Sequence, residues 1–211
     1  MIRLIFTGDF VPLYGADSLS GNVFESIKPI LDGCDFHVTN LESPLTVSGG
    51  PIKKSGPAIK APPEGGELLK QAQVDMACLA NNHIFDFGEQ GILDTLEVCK
   101  LNGIDVVGIV NHPEGMGPSL VKEMKGKHIG FLNFCEHEFS VRQQGLLGAN
   151  GYDDIDAFYQ ITAIRHEVDY LIVIYHGGVE YHHLPSPMVK KTFHYLADLG
   201  ADAVIGHHTH V

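Results

Sequence analysis

The chain has 211 residues, 44% of them apolar, and 26 acidic against 14 basic residues give a formal net charge of −12. That length suits one large domain with a sizeable core, and disorder is excluded because no long stretch lacks apolar residues. The acidity argues against nucleic acid as a partner, since phosphate binding needs a basic face, but small anionic substrates stay open because a bound dication inverts the local charge.

Strand-like blocks are predicted at 2–7, 36–39, 75–79, 105–109, 128–134, 170–175 and 203–205, each short, apolar and rich in β-branched or aromatic residues. Helical periodicity falls between many of them, at 23–31, 91–101, 157–166 and 188–199, with Asn102-Gly103 and Gly200 as stop signals. Alternating strands and helices imply βαβ units and largely parallel pairing. Residues 119–123 and 127–134, joined by Met124-Lys125-Gly126, read instead as a β-hairpin, so at least one sheet is mixed. The Gly-, Pro-, Lys- and Ser-rich stretch 49–63 reads as a surface excursion. The opening MIRLIFTGDF carries an apolar run only a strand long, the pattern of neither a signal peptide nor a membrane span. Cys34, Cys78, Cys99 and Cys135 form no C-x-x-C pair. Free thiols in a reducing compartment are the default, so a cytoplasmic location is expected.

Five polar motifs come directly after predicted strands. They are Gly8-Asp9, Asn40-Leu41-Glu42, Asn81-Asn82-His83, His176-Gly177-Gly178 and Gly206-His207-His208-Thr209-His210. In parallel α/β architectures the carboxyl ends of strands share one edge, and ligands bind there. The five groups are therefore expected to meet although they span the sequence. Carboxylate, imidazole and amide oxygen form an N/O donor set that suits one or two divalent ions of Mn, Zn, Fe, Ni or Co. His208 and His210, on an extended segment, would face the same side.

Each motif also has a structural reading. Gly8-Asp9 makes an ordinary turn, and Asn40, or one of Asn81 and Asn82, a helix cap. His176-Gly-Gly makes a β-turn, although a histidine leaving a fully apolar strand favours function. His182 and His183 read as surface loop, and His37, His112, His128, His137, His166 and His194 as ordinary structural or surface residues.

Taken together, T-G-D (7–9), N-L-E (40–42), A-N-N-H-x-x-D-x-G (80–88), H-G-G-x-E-Y (176–181) and G-A-D-x-V-I-G-H-H-x-H-V (200–211) resemble the bacterial capsule-synthesis CapA family, associated with poly-gamma-glutamate production. That family is similar to the calcineurin-like metallophosphoesterases, and the resemblance covers nearly the whole chain. It implies an α/β fold of two packed mixed β-sheets flanked by helices, in a single domain over 1–211. It also implies a two-metal site. Asp9 and His210 would serve the first metal, Glu42 would bridge, and Asn82, His176 and His208 would hold the second. His83 would be catalytic, oriented by Asp86, and His207 and Glu180 would contact substrate. The superfamily's usual Asp-x-His is replaced here by Asp9-Phe10-Val11, which leaves the first metal one ligand short. Family members also continue beyond the H-x-H motif, so the chain is expected to be C-terminally incomplete, with weak metal binding in its last residues unless a longer chain or a partner fixes them.

The reaction implied is metal-assisted hydrolysis of a phosphoester. An amide or gamma-glutamyl bond is the alternative on the same site, because the same water and Lewis acid hydrolyse both. A different class is a non-catalytic capsule-assembly module that binds a polymer and keeps a degenerate metal site. Metal content per chain separates the enzyme from the module.

Overall fold

The computed structural model describes residues 1–13, 22–111, 117–141 and 147–211; His112 lies outside them. The chain divides into two compact units: Met1–Cys78 with His83–Val106, and Leu79–Asn82 with Val107–Val211.

The first unit runs β1 (Leu4–Phe10), α1 (Lys28–Leu31), β2 (Phe36–Leu41), α2 (Gly65–Gln71), β3 (Met76–Cys78), α3 (Gly88–Leu101) and β4 (Asp105–Val107), the last strand ending at the boundary. These strands form one sheet in the order β1-β2-β3-β4, with β2 parallel to both β1 and β3. All six residues of β2 are buried, as an interior parallel strand requires. The helix expected over 23–31 forms only at its end. Pro29 stands in the first turn of α1, where its missing N–H costs nothing. The sequence reading missed α2. Gly66 brings this helix against α3: a Cβ there would lie 2.6 Å from both Val98 Cγ1 and Asn102 Nδ2. The stop signal at Asn102-Gly103 acts as read, with Asn102 capping α3 and Gly103 at φ 71°.

The second unit contains β5 (Ile109–Val110), β6 (Leu120–Met124), β7 (Lys127–Cys135), β8 (Gly148–Ala149), α4 (Asp154–Arg165), β9 (Tyr170–His176), α5 (Pro187–Asp198) and β10 (Ala203–His207). Its main sheet has the order β10-β9-β7-β6, and β5 pairs with β8 in a small ribbon. β9 lies parallel to β7 and β10, whereas β6 and β7 form the expected antiparallel hairpin. Met124 pairs with Lys127, so the turn is Lys125-Gly126, at φ 53° and 75°. Positive φ at both central residues is the geometry that matches the twist of the flanking strands.

One face of α4 buries Ala157, Gln160, Ile161 and Ile164, the i, i+3, i+4, i+7 stripe of an amphipathic helix. Asp153 caps it by accepting from the N–H groups of Ile155 and Asp156. That stripe packs with Leu132 and Phe134 of β7, Leu171, Val173 and Tyr175 of β9, and Leu196 of α5. At its end Arg165 donates to Asp202 Oδ2 (2.7 Å) and to Gly200 O (3.0 Å), tying α4 to the segment that enters β10. The α/β, multi-sheet, helix-flanked architecture is therefore the one the sequence resemblance implies. Among the described residues no helix is long and apolar enough to cross a membrane.

Candidate metal centre

In the second unit, β9 ends on His176 and the neighbouring β10 on His207, whose backbones are in register. Two imidazole nitrogens and an amide oxygen meet just beyond these strand ends. His176 Nε2 lies 3.1 Å from Asn82 Oδ1 and 3.2 Å from His208 Nδ1. His176 is 1% exposed, His208 4% and Asn82 8%. Donors around a tetrahedral ion with metal–nitrogen bonds of ~2.0–2.1 Å sit roughly 3.3 Å apart. The spacing and the N/O chemistry thus fit a borderline divalent cation, with these three residues as the ones that would hold it.

The backbone around these donors is tightly specified. The strand β10 stops at His207, and His208 and His210 take φ 95° and 53°. The H-x-H motif is therefore not the extended segment expected: a left-handed backbone turns the chain at both histidines. Non-glycine residues there cost of the order of 1–3 kcal/mol each and persist where the surroundings over-determine them. Here the loops after β9 and β10 are laced by Gly177 N–H to His207 O (3.2 Å) and Tyr181 N–H to Thr209 O (2.8 Å).

Asn82 is placed from below. Buried Asn133 on β7 accepts from Ala80 N–H at 2.8 Å and donates to Ile174 O on β9 at 3.3 Å. Leu79 N–H donates to Val107 O, which fixes the start of the same segment. Gly108, at φ 100°, leaves room for this junction: a Cβ would lie 2.3 Å from Asn133 Oδ1 and 2.6 Å from Ala80 N. Asn150 and Gln160 complete the network, Asn150 Nδ2 donating to Asn133 O at 3.0 Å and to Gln160 Oε1 at 3.1 Å.

The sequence reading missed Glu136 and Glu138. Each offers an oxygen that, with a His208 nitrogen, falls in a group whose atoms lie within 4.8 Å of one another. Burial holds the Glu136 carboxyl above the usual range, opposed by the Gly178 N–H it accepts and by nearby His208. Glu136 directly follows β7, so the positional rule that picked out the other five motifs would have found it. His210 is exposed, its ring 6.1 Å from that of His208 and 6.0 Å from that of Tyr181. His207 is partly buried, whereas Glu180, His182 and His183 are exposed.

The first unit holds the remaining residues. Two residues of β1, Gly8 and Asp9, stand opposite one residue of β2, because the register runs Thr7 to Thr39 and then Phe10 to Leu41. This bulge turns Asp9 to Asn40, whose Nδ2 donates to Asp9 Oδ1 at 2.5 Å. Glu42, 3% exposed, follows β2 and donates its N–H to Phe10 O. His83 is mostly buried, and its Nδ1 lies 2.7 Å from Oδ2 of fully buried Asp86. The excursion 49–63 is not only surface: it carries Lys54, whose side chain is 2% exposed, into an ion pair with Asp86 Oδ1. Ile59 N–H also donates to Asp86 Oδ2, at 2.7 Å. Nothing in a loop of Gly, Pro, Lys and Ser marks one lysine as buried, so the sequence carried no signal for this contact. Buried His37 is structural: its Nδ1 lies 2.9 Å from Ala72 O and its Nε2 2.8 Å from Thr7 Oγ1.

A sequence model of the family described as bacterial capsule synthesis protein PGA_cap matches residues 3–211. The chain belongs to that family. The PGA biosynthesis protein CapA of Bacillus subtilis (strain 168) is 28% identical over 206 residues, covering 93% of this chain and 52% of that protein. The capsule biosynthesis protein CapA of Bacillus anthracis is 27% identical over 215 residues, covering 96% and 51%. The chain thus spans about half the length of the curated CapA relatives it matches. Two crystal structures share its fold. A hypothetical protein from Thermus thermophilus aligns with a TM-score of 0.57 and 22% identity, over 100% of this chain and 69% of that one. A chain described as "Putative 5'-Nucleotidase from Staphylococcus aureus in complex with alpha-ketoglutarate" aligns with a TM-score of 0.61 and 14% identity, over 99% and 45%.

Proposed function

We propose that this PGA_cap chain is a metal-dependent hydrolase of capsule or poly-gamma-glutamate synthesis, acting on a phosphoester. The reading is carried by one observation: buried His176 Nε2 lies 3.1 Å from Asn82 Oδ1 and 3.2 Å from His208 Nδ1. In this reading those three residues hold one divalent ion, with His210 of the same unit as a further ligand. Such an ion supplies Lewis-acid stabilisation of charge on a substrate oxygen and activation of water near neutral pH. The chain's own part is to position and to move a proton. His83, steadied by Asp86, takes up a proton at Nε2 and delivers it to the leaving group, and His207 and Glu180 contact the substrate. Away from the ligands the surface charge of −12 disfavours an anionic polymer, so binding of one depends on the metal. The free cysteines suit a reducing compartment, and a cytoplasmic location belongs to this reading.

A second reading is hydrolysis of an amide such as a gamma-glutamyl bond, because the same water and Lewis acid act on both. The two are separated by assaying the metal-loaded chain on p-nitrophenyl phosphate, bis-p-nitrophenyl phosphate and γ-glutamyl p-nitroanilide. Phosphoester turnover that His176→Ala abolishes supports the first reading. Turnover of the anilide alone supports the second, and no turnover with metal bound supports a binding module.

A further inference from the structure

Fully buried Asp86 uses its two oxygens differently. Oδ1 takes the Lys54 ammonium, while Oδ2 accepts the Ile59 N–H at 2.7 Å and lies 2.7 Å from His83 Nδ1. Lys54 Nζ also comes within 3.1 Å of His83 Nδ1. A single ring nitrogen cannot donate to the carboxylate and accept from the ammonium at once. If Lys54 donated to Nδ1, the 2.7 Å contact of Nδ1 with Asp86 Oδ2 would set two acceptors against each other with no proton between them. The shorter contact therefore needs its proton on Nδ1, and the Lys54 ammonium meets Oδ1 as an ion pair.

We propose that Lys54 is a positioning residue for His83. By occupying Oδ1 it holds Asp86 as an anion whose other oxygen receives the Nδ1–H, which fixes the ring plane and leaves Nε2 as the atom that exchanges a proton with substrate. Carboxylate partners set the tautomer of a functional histidine in this manner, and such supporting groups typically contribute ~10–100-fold in activity. Here the carboxylate itself is set by a lysine delivered from a loop 29 residues earlier in the chain than the histidine. This inference rests on the hydrolase reading for its consequence, but not for its geometry.

The test is two-bond proton–nitrogen NMR of ¹⁵N-histidine-labelled chain in zinc-containing buffer, at a pH where the ring is neutral. Wild type, Lys54→Met, Lys54→Arg and Asp86→Asn are compared, with kcat and KM on p-nitrophenyl phosphate measured alongside. Expected is a single Nδ1–H tautomer for His83 in wild type and a mixture of tautomers in Lys54→Met and Asp86→Asn. The Nδ1–H form should return in Lys54→Arg. For Lys54→Met, kcat should fall about 10–100-fold with KM within about twofold. Should Lys54→Met not fold, Lys54→Gln carries the same expectation. An unchanged His83 tautomer in the folded lysine variant overturns the inference, as does a wild-type ring protonated at Nε2. A lysine-dependent tautomer in a chain that hydrolyses nothing sinks the hydrolase reading and leaves this one standing.

Discussion

Two groups of buried polar residues solve opposite problems. In the second unit, His176 Nε2 stands between an amide oxygen and a second imidazole nitrogen, 3.1 Å from Asn82 Oδ1 and 3.2 Å from His208 Nδ1. In the first unit, the buried Asp86 carboxyl is met by Lys54, by a backbone N–H and by His83. The first arrangement gathers N/O donors that would fit a cation; the second already contains one. Donor geometry at strand ends thus marks where an ion would sit, and a self-neutralised pair marks where a side chain is being held still.

This contrast can be broken at several points. The largest effect expected is on hydrolysis: His83→Ala should lower it by a factor of ~10²–10⁴, the worth of a lost general acid, while metal content stays as in wild type. If metal content drops instead, His83 belongs to the ion-receiving group. Next comes Gly108→Ala, which forces a methyl group onto Asn133 and Ala80 N at a positive φ. It should lower stability by about 1–3 kcal/mol in chemical denaturation and weaken zinc affinity by about 10–100-fold, because Asn82 hangs from that junction. Full zinc affinity in a destabilised variant would show that the Asn133 network supports the fold without positioning the ligand.

The smallest effect concerns Asp202, which belongs to neither group. Burial raises its pKa, but the Leu171 N–H and Arg165 outweigh that and hold it below the ordinary value of 3.8. A depressed folded pKa means stability that is present above the unfolded value and lost as pH falls through the folded one. Asp202→Asn should therefore cost about 1 kcal/mol at neutral pH, the scale of one partly exposed hydrogen-bonded pair. The gap to wild type should close as pH drops below 3.8. A gap that does not depend on pH would mean that the loss is in packing.

The strand ends were the legible part of this chain. Runs such as Leu171–Tyr175 and Ala203–Ile205 declare themselves by composition, and in a parallel sheet the residues just past such runs land on one edge. That logic reaches Asn82, His176 and His208 from the sequence alone. It would also have reached Glu136, had the residues after Phe134 been weighed like those after Tyr175. The hidden part depends on three-dimensional closure. Lys54 sits in a loop whose composition says only that it is not helix or strand, and its burial exists because Asp86 does. Asn133 looks like one polar residue in an apolar strand. Its role arises from Ala80, 53 positions earlier, needing an acceptor. The left-handed turns at His208 and His210 could not be read either, because the local sequence suits a continuing strand.

The second unit's three donors are proposed to hold a metal ion. Elemental analysis of the chain purified without chelator, beside the double variant His176→Ala/His208→Ala, tests it most directly. The account predicts at least one divalent transition metal per wild-type chain and loss of most of that metal in the variant, with circular dichroism unchanged. Wild-type chains empty of metal even after dialysis against zinc or manganese, or a double variant that binds as much metal as wild type, would contradict it.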